Sequence, residues 1–324
     1  MGLRIVQAAK SLPERIVTNQ DLEKYLDTSD EWITKRTGIK ERRMVTDETT
    51  SSLSTEVAKQ LIEKTGIDVS NIDLIIVATM SPDLLTPSTA AVVQGAIGAT
   101  NAAAFDINVA CSGFVYGLSV VNNFMQAGNV KNAILIGAET LSKLTDQNDR
   151  STAVLFGDGA AGVLIQNDSQ SELIANELET FGDLGMNLTA GKLGVKPIAI
   201  SDKTSTEPGF YFEMNGRRVY DFATKNVTKS ITKVLDAAQI EADEIDYFLL
   251  HQANQRIVSS IAKRLDLDMD RFPININKYG NTAAASEPLL LADLLEQKKI
   301  QRGNKLVLSG FGGGLTIGTT ILKF

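Results

Sequence analysis

Two short apolar runs, Leu74–Ala78 (LIIVA) and Ile245–Leu250 (IDYFLL), constrain the fold of this chain more than any other feature. Both are of strand length, and such uninterrupted apolar stretches mark strands covered on both faces. Strands of that kind need helices to cover them, and helical periodicity stands on either side. Leu53, Val57 and Leu61 recur every four residues toward Gly66, and Thr86-Pro87-Ser88 turns into a helix carrying Ala90, Val92, Val93 and Ile97. Further on, Val227, Ile231, Val234, Leu235 and Ala238 share one helical face. Ile257, Ile261 and Leu265 mark another helix, and Leu289–Leu295 a third. Near the N-terminus Asn19 or Asp21 is expected to cap a short helix, and Ser29 or Asp30 the segment carrying Trp32.

Arg4–Ala8, Ala133–Gly137, Lys305–Ser309 and Thr316–Leu322 read as strands, and Thr152–Gln166 as a glycine-broken strand pair. Strands alternating with helices predict an α/β fold with a mostly parallel sheet. Each half of the chain has a buried strand at an Ile-Asp pair (Ile72-Asp73, Ile245-Asp246) and closes in a glycine-rich strand pair, which points to duplication. The polar stretch Asn167–Pro208 is the expected connection between the halves.

At 324 residues the chain is long enough for two core units. Hydrophobic residues at 43% and charged residues at 22% are ordinary for a soluble globular protein. A formal net charge of −7 disfavours nucleic-acid binding, which depends on neutralising phosphates. One cysteine cannot close an intrachain disulfide, and with one histidine it makes a poor metal site. Charges interrupt every apolar stretch of MGLRIVQAAKSLPERIV, so no signal peptide is expected there. No run approaches the roughly 20 apolar residues of a membrane span. The expectation is a cytoplasmic protein with no membrane, metal or nucleic-acid contact.

The single cysteine lies in Ala103–Leu118, AAFDINVACSGFVYGL, which reads as strand, tight turn and helix start. Cys111 at that junction sits beside free backbone N–H groups and the positive end of a helix dipole, both of which favour thiolate. The plainer reading is a small buried hydrophobe. His251, the only histidine, directly follows the strand YFLL. A lone histidine is often structural, but ligands of open α/β sheets gather at strand C-termini, and two reactive side chains placed there suit nucleophilic catalysis. Asn281, in YGNTAAASEP, follows an expected strand Pro273–Ile276; it is either turn chemistry or an amide donor that helps His251 bind an oxyanion. The glycine run Ser309–Gly314 (SGFGGG) leads into a strand near the C-terminus, which is the wrong context for a dinucleotide fingerprint. It is either a turn between strands or a set of N–H groups bared to a substrate.

At these residues the chain resembles the thiolase-fold condensing enzymes, and among them the β-ketoacyl-[acyl-carrier-protein] synthase III family. The resemblance is carried by VACSGFVYGL around Cys111, HQANQRI from His251, YGNTAAASEP around Asn281, and GFGGGLTIGT. DTSDEWITKRTGIKERR and DRSTAVLFGDGAAG match as well, in the family's order and over essentially the whole chain. A single histidine separates this chain from the elongating synthases, which resemble a Cys-His-His design, and Gly313 stands where chalcone synthases carry proline. The resemblance implies a duplicated thiolase-like α/β fold, with two mixed sheets and helices in α-β-α-β-α layers. Residues 1–167 would carry the nucleophilic cysteine, and residues 168–324 the histidine and asparagine. It implies an initiating enzyme of fatty acid synthesis that condenses acyl-CoA with malonyl-acyl carrier protein through an acyl-Cys111 intermediate, as a homodimer and without a cofactor. The alternative is an acyltransferase of the same fold in secondary metabolism.

The resemblance also assigns residues. Cys111, His251 and Asn281 would be catalytic, and the N–H groups of Cys111 and Gly313 would form an oxyanion hole. Thr28, Trp32, Arg36, Arg150, Phe156, Met214, Gly216 and Asn254 would hold coenzyme A and its pantetheine arm. Gln252, Ala253, Asn254, Gln255, Arg256, Lys263 and Arg264 would meet the carrier protein, with Arg217-Arg218 nearby. An acidic partner meeting an acidic chain needs such a local basic patch. Two departures stand out. Thr86 precedes Pro87 where several family members place a large aromatic reaching the partner subunit's acyl pocket, which implies a roomier pocket for branched or longer starters. Glu287 stands before Pro288 where an apolar residue is usual.

Overall fold

The computed structural model describes residues 2–168, 173–192 and 210–324. A five-stranded sheet is ordered β1 (Gly2–Ser11), β7 (Gly159–Asp168), β6 (Asn132–Glu139), β4 (Leu74–Ala78), β5 (Ala103–Ile107). In it β6, β4 and β5 are parallel, whereas β7 is antiparallel to both its neighbours. A four-stranded sheet is ordered β11 (Tyr247–Leu250), β12 (Lys305–Gly312), β13 (Thr316–Lys323), β8 (Leu173–Thr180), with only β11 and β12 parallel. Short ribbons pair β2 (Ile16–Thr18) with β3 (Glu41–Arg43) and β9 (Leu188–Thr189) with β10 (Glu213–Met214). The helices are α1 (Asn19–Glu23), α2 (Asp30–Thr37), α3 (Thr50–Thr65), α4 (Thr89–Ile97), α5 (Gly113–Gln126), α6 (Arg150–Ala153), α7 (Gly216–Phe222), α8 (Thr228–Ala238), α9 (Gln255–Arg264), α10 (Ile276–Tyr279) and α11 (Ser286–Glu296).

The layers follow from side-chain alternation, because successive residues of a strand face opposite sides. Leu74 and Ile76 of β4 pack with α5 and α11, while Ile75 and Val77 pack with α3 and α4. In the second sheet Leu249, Leu306 and Leu308 join the same α5–α11 core, while Phe248, Leu250 and Val307 turn to α8 and α9. The result is helix, sheet, helix, sheet, helix, with α5 and α11 between the sheets. Burial on both faces is why LIIVA and YFLL carry no polar alternation.

Several local expectations are corrected. Neither sheet is mostly parallel: in the first β7 runs antiparallel to β1 and β6, and in the second only three residues separate β12 from β13, so short a connection that it forces an antiparallel return. Thr152–Gln166 is not a strand pair: α6 ends at Ala153 and only β7 is a strand. The stretch Asn167–Pro208 contains β8, which pairs along one side only and alternates half-buried with exposed residues, so its composition is polar. The rest of that stretch from residue 193 lies outside the described residues. Pro273–Ile276 forms no strand; Ile276 instead opens α10. The cap of α1 is Thr18, whose side chain accepts from the Asp21 backbone while the Asp21 carboxylate accepts from the Thr18 N–H. Ser29 caps α2 as expected.

Candidate active site

The strand β5 ends at Ile107, and a single 3-10 turn, Ala110–Ser112, leads into α5. Ala110 sits at φ 44°, a left-handed conformation unusual for a residue with a Cβ, so the turn that presents Cys111 is held under strain. The glycine run explains how the other sheet reaches this turn. A Cβ on Gly310 would stand 2.9 Å from Ser112 Cα, and one on Gly313 would stand 3.1 Å from Ala110 Cβ. The end of β12 is thus glycine-rich because it lies against the nucleophile's backbone, while the hairpin itself keeps full antiparallel pairing from Lys305 to Gly312.

His251 follows β11 directly, with its N–H donating to the Ser309 carbonyl at 2.9 Å. Its ring packs edge-on against Phe311, is almost wholly buried, and has Nδ1 without a hydrogen-bond partner among the described residues. Burial pulls its pKa down to about 3, so the imidazole is neutral. Asn281 is fixed by its backbone, whose N–H donates to Leu155 O at 2.9 Å and whose C=O accepts from Gly157 N–H at 3.0 Å. Its Oδ1 accepts from the Ala283 N–H at 2.9 Å, which leaves the NH₂ as the group free to donate.

Burial dominates the electrostatics of Cys111 and pushes its thiol well above the ordinary range, reinforced by the Glu139 and Glu287 carboxyls. The backbone N–H groups of Cys111 and Gly313 pull the other way. Burial thus opposes the thiolate expected at the helix start and outweighs the two N–H groups in the unliganded site. Glu139, buried at the end of β6, is pushed up to about 8 by desolvation, although Met80 N–H and Ser81 Oγ donate to it.

Cys111, His251, Asn281 and Gly313 all line one cavity of about 650 Å³. Trp32, Arg36, Phe156, Met214, Gly216, Ala253, Asn254 and Arg256 share its wall. Arg36 and Arg150 flank the Trp32 ring with guanidinium carbons 5.0 and 5.1 Å from its centroid, although Arg150 itself lies outside the lining. Arg150 also donates to the Asp27 carbonyl at 2.7 Å. Asn254 caps α9 by accepting from Arg256 N–H and donates to the Arg36 carbonyl at 3.1 Å, so one side chain ties the α9 start to the α2 end.

Three assigned residues fall elsewhere. Thr28 does not line the cavity. Gln252 is buried, donating to Leu250 O and accepting from Asn275 N–H, and so cannot meet a docking partner as expected. Thr86 is exposed ahead of the cis Pro87 and outside the cavity of its own chain. Gln255, Arg256, Lys263 and Arg264 are exposed along α9, as are Arg217 and Arg218 in α7. Residue-by-residue reading missed Phe311, which lay inside the glycine run, and Glu139, which nothing in its neighbourhood distinguishes from a surface glutamate. Among the described residues no group of three His, Cys, Asp or Glu side chains is arranged to hold a metal ion, and no helix is long and apolar enough to cross a membrane.

Residues 105–182 match the family model of 3-Oxoacyl-[acyl-carrier-protein (ACP)] synthase III, and residues 235–324 match the model of its C terminal. The beta-ketoacyl-[acyl-carrier-protein] synthase III of Lactobacillus helveticus is 58% identical over 323 residues, covering 99% of this chain and 98% of the relative. The chain belongs to the β-ketoacyl-[acyl-carrier-protein] synthase III family. The synthase III of Levilactobacillus brevis is 53% identical over 100% of this chain and 99% of its own. The solved synthase III of Aquifex aeolicus superposes with a TM-score of 0.92 at 38% identity, covering 100% of both chains. OleA of Xanthomonas campestris, at 19% identity and a TM-score of 0.86 over 100% of this chain and 99% of its own, shares the fold. The chain is accordingly a condensing acyltransferase of fatty acid biosynthesis with a thiolase-like fold.

Proposed function

We propose that Cys111 attacks the thioester of a short or branched acyl-CoA, forming an acyl-enzyme and releasing coenzyme A. Malonyl-acyl carrier protein then loses carbon dioxide, and neutral His251 with the Asn281 NH₂ donates to the thioester oxygen on which the enolate charge gathers. The carbanion attacks the acyl-Cys111 carbonyl, the N–H groups of Cys111 and Gly313 hold the oxyanion, and the thiolate leaves as the 3-oxoacyl chain departs on the carrier protein. No step in this scheme calls on a metal or redox cofactor. What supports the reading is that a buried thiol, a neutral imidazole and an oriented amide line one cavity together with Trp32 and Arg36.

In this scheme Trp32 stacks on the adenine, Arg36 and Arg150 meet phosphate and ribose oxygens, and Phe156, Met214, Gly216 and Asn254 follow the pantetheine arm. The exposed cations of α9, with Ala253, Asn254 and Gln255, receive the carrier protein. The two halves, 1–167 and 168–324, are products of duplication, and two copies of the chain form a cytoplasmic homodimer in which Thr86 reaches the partner's acyl pocket. The edge of β5, which pairs with no further strand among the described residues, and the exposed Leu84 and Leu85 beside Thr86 support that last point.

Intact-protein mass after mixing with acetyl-CoA, then with isobutyryl-CoA, tests the scheme. The expected result is an acyl increment on the native chain, absent in Cys111→Ala and discharged by malonyl-acyl carrier protein. An increment surviving in Cys111→Ala would overturn it.

A further inference from the structure

Glu287 is a buried carboxyl that the condensation does not use. It lies in the first turn of α11, wholly shielded from solvent, and among the described residues neither carboxyl oxygen has a hydrogen-bond partner. Its position is specific. A Cβ on Gly310 would stand 2.7 Å from Glu287 Oε1 and 3.0 Å from the Cys111 carbonyl oxygen. The missing side chain of Gly310 therefore leaves a slot that both the Glu287 carboxyl and the Cys111 carbonyl border. Among the described residues no cation neutralises the group. On the elements packed against α11, Lys10 binds Asp293 and Glu296, Arg4 binds Asp168, and Lys305 binds Glu244. The remaining titratable groups there and across the slot are Tyr247, Glu139, Cys111 and His251, none of which is a cation at neutral pH. A carboxyl so placed keeps its proton, and burial raises its pKa well above the usual range. In that form it is a donor beside a carbonyl acceptor.

We propose that Glu287 is a positioning residue for Cys111: as a neutral acid it donates to the Cys111 carbonyl from behind and steadies the strained Ala110–Ser112 turn, and as an anion it holds the sulfur in its thiol form. The inference rests on Cys111 being the nucleophile. No group is transferred; the carboxyl proton stays on Glu287 while the acid is neutral and leaves to solvent when it ionises.

The test compares the full chain with Glu287→Gln and Glu287→Leu. Alkylation of Cys111 by iodoacetamide, followed by intact mass from neutral to about pH 10, reads the thiol without any acyl donor. Glutamine keeps a donor and cannot ionise, so alkylation at alkaline pH is expected to run about tenfold faster than in the native chain, the factor that one pKa unit gives. Superimposable native and Glu287→Gln profiles would overturn the electrostatic role whether or not acyl-CoA is the substrate. Leucine removes the donor, and acylation at neutral pH is expected to fall about tenfold below that of Glu287→Gln. Equal rates in the two variants would overturn the hydrogen bond. If Glu287→Leu fails to fold by circular dichroism, the Glu287→Gln profile decides alone.

Discussion

A side chain at Gly312 would stand 2.8 Å from both Cβ and Sγ of Cys111. The last residue of β12 is glycine because the nucleophile already occupies the volume that any larger residue needs. Real Cβ atoms do not approach so closely, so Gly312→Ala must push the sulfur aside. An error of this size in a reacting atom costs on the order of 100-fold in rate. The expected outcome is an acylation rate about 100-fold down, with a circular dichroism spectrum and melting profile close to native, since the ladder with β13 remains available. Native-like acylation in Gly312→Ala would show that the sulfur is not confined against Gly312.

The Trp32 ring is already flanked by the Arg36 and Arg150 guanidiniums. The same array of flat, cationic surfaces suits a nucleotide with its phosphates. Trp32→Ala removes the platform far from the reacting sulfur, so it should raise KM for acyl-CoA about tenfold and leave kcat within about threefold, the signature of uniform binding. Steady-state kinetics with varied acyl-CoA measures the split, and a loss confined to kcat would contradict a binding role.

How far the chain could be read without its structure depends on what a residue's neighbours in sequence reveal. LIIVA and YFLL announced their strands because burial on both faces leaves no other composition. Cys111 and His251 stood out because each is unique in the chain and each stands just past a strand. The antiparallel halves of the sheets were not legible, since β8 looks like a polar linker when only one face packs. Gln252 shows a different limit: it sits in the same HQAN stretch as the exposed Gln255 and Arg256, yet folds inward to bond Leu250 and Asn275. The slot at Gly310 is invisible in sequence, because its two walls lie in α11 and in the Cys111 turn, far apart along the chain.

Along α9, Lys263 and Arg264 are exposed in the last turn while Ile257, Val258 and Ile261 are buried, so the basic face is displayed without cost to the core. Binding of an acidic carrier protein to such a face is electrostatic and screened by salt. Lys263→Glu is expected to raise KM for malonyl-acyl carrier protein about tenfold, with a weaker dependence on ionic strength than the native enzyme shows. Acylation by acyl-CoA alone should stay near native. Equal effects on both half-reactions would mean that α9 has been distorted and not merely recharged.

Two buried titratable groups at the site set opposite slopes of stability with pH. His251 has its folded pKa lowered to about 3, below the unfolded value near 6.5, because burial disfavours the imidazolium. The unfolded chain then binds the proton first, so the contribution is full above about pH 6.5 and is lost as pH falls toward 3. Glu139 has its folded pKa raised to about 8, and its contribution is full below about pH 4.5 and lost as pH rises through 8. Glu287 acts in the same sense as Glu139. The His251 and Glu139 shifts each span a few pH units, which corresponds to roughly 5 kcal/mol for each of these two groups. Melting temperatures taken from about pH 3 to pH 9 separate them. Glu139→Gln should flatten the fall between about pH 6.5 and 8, and His251→Asn the fall below about pH 4.5. A His251→Asn curve running parallel to the native one at acid pH would mean that the histidine is not buried in the folded enzyme.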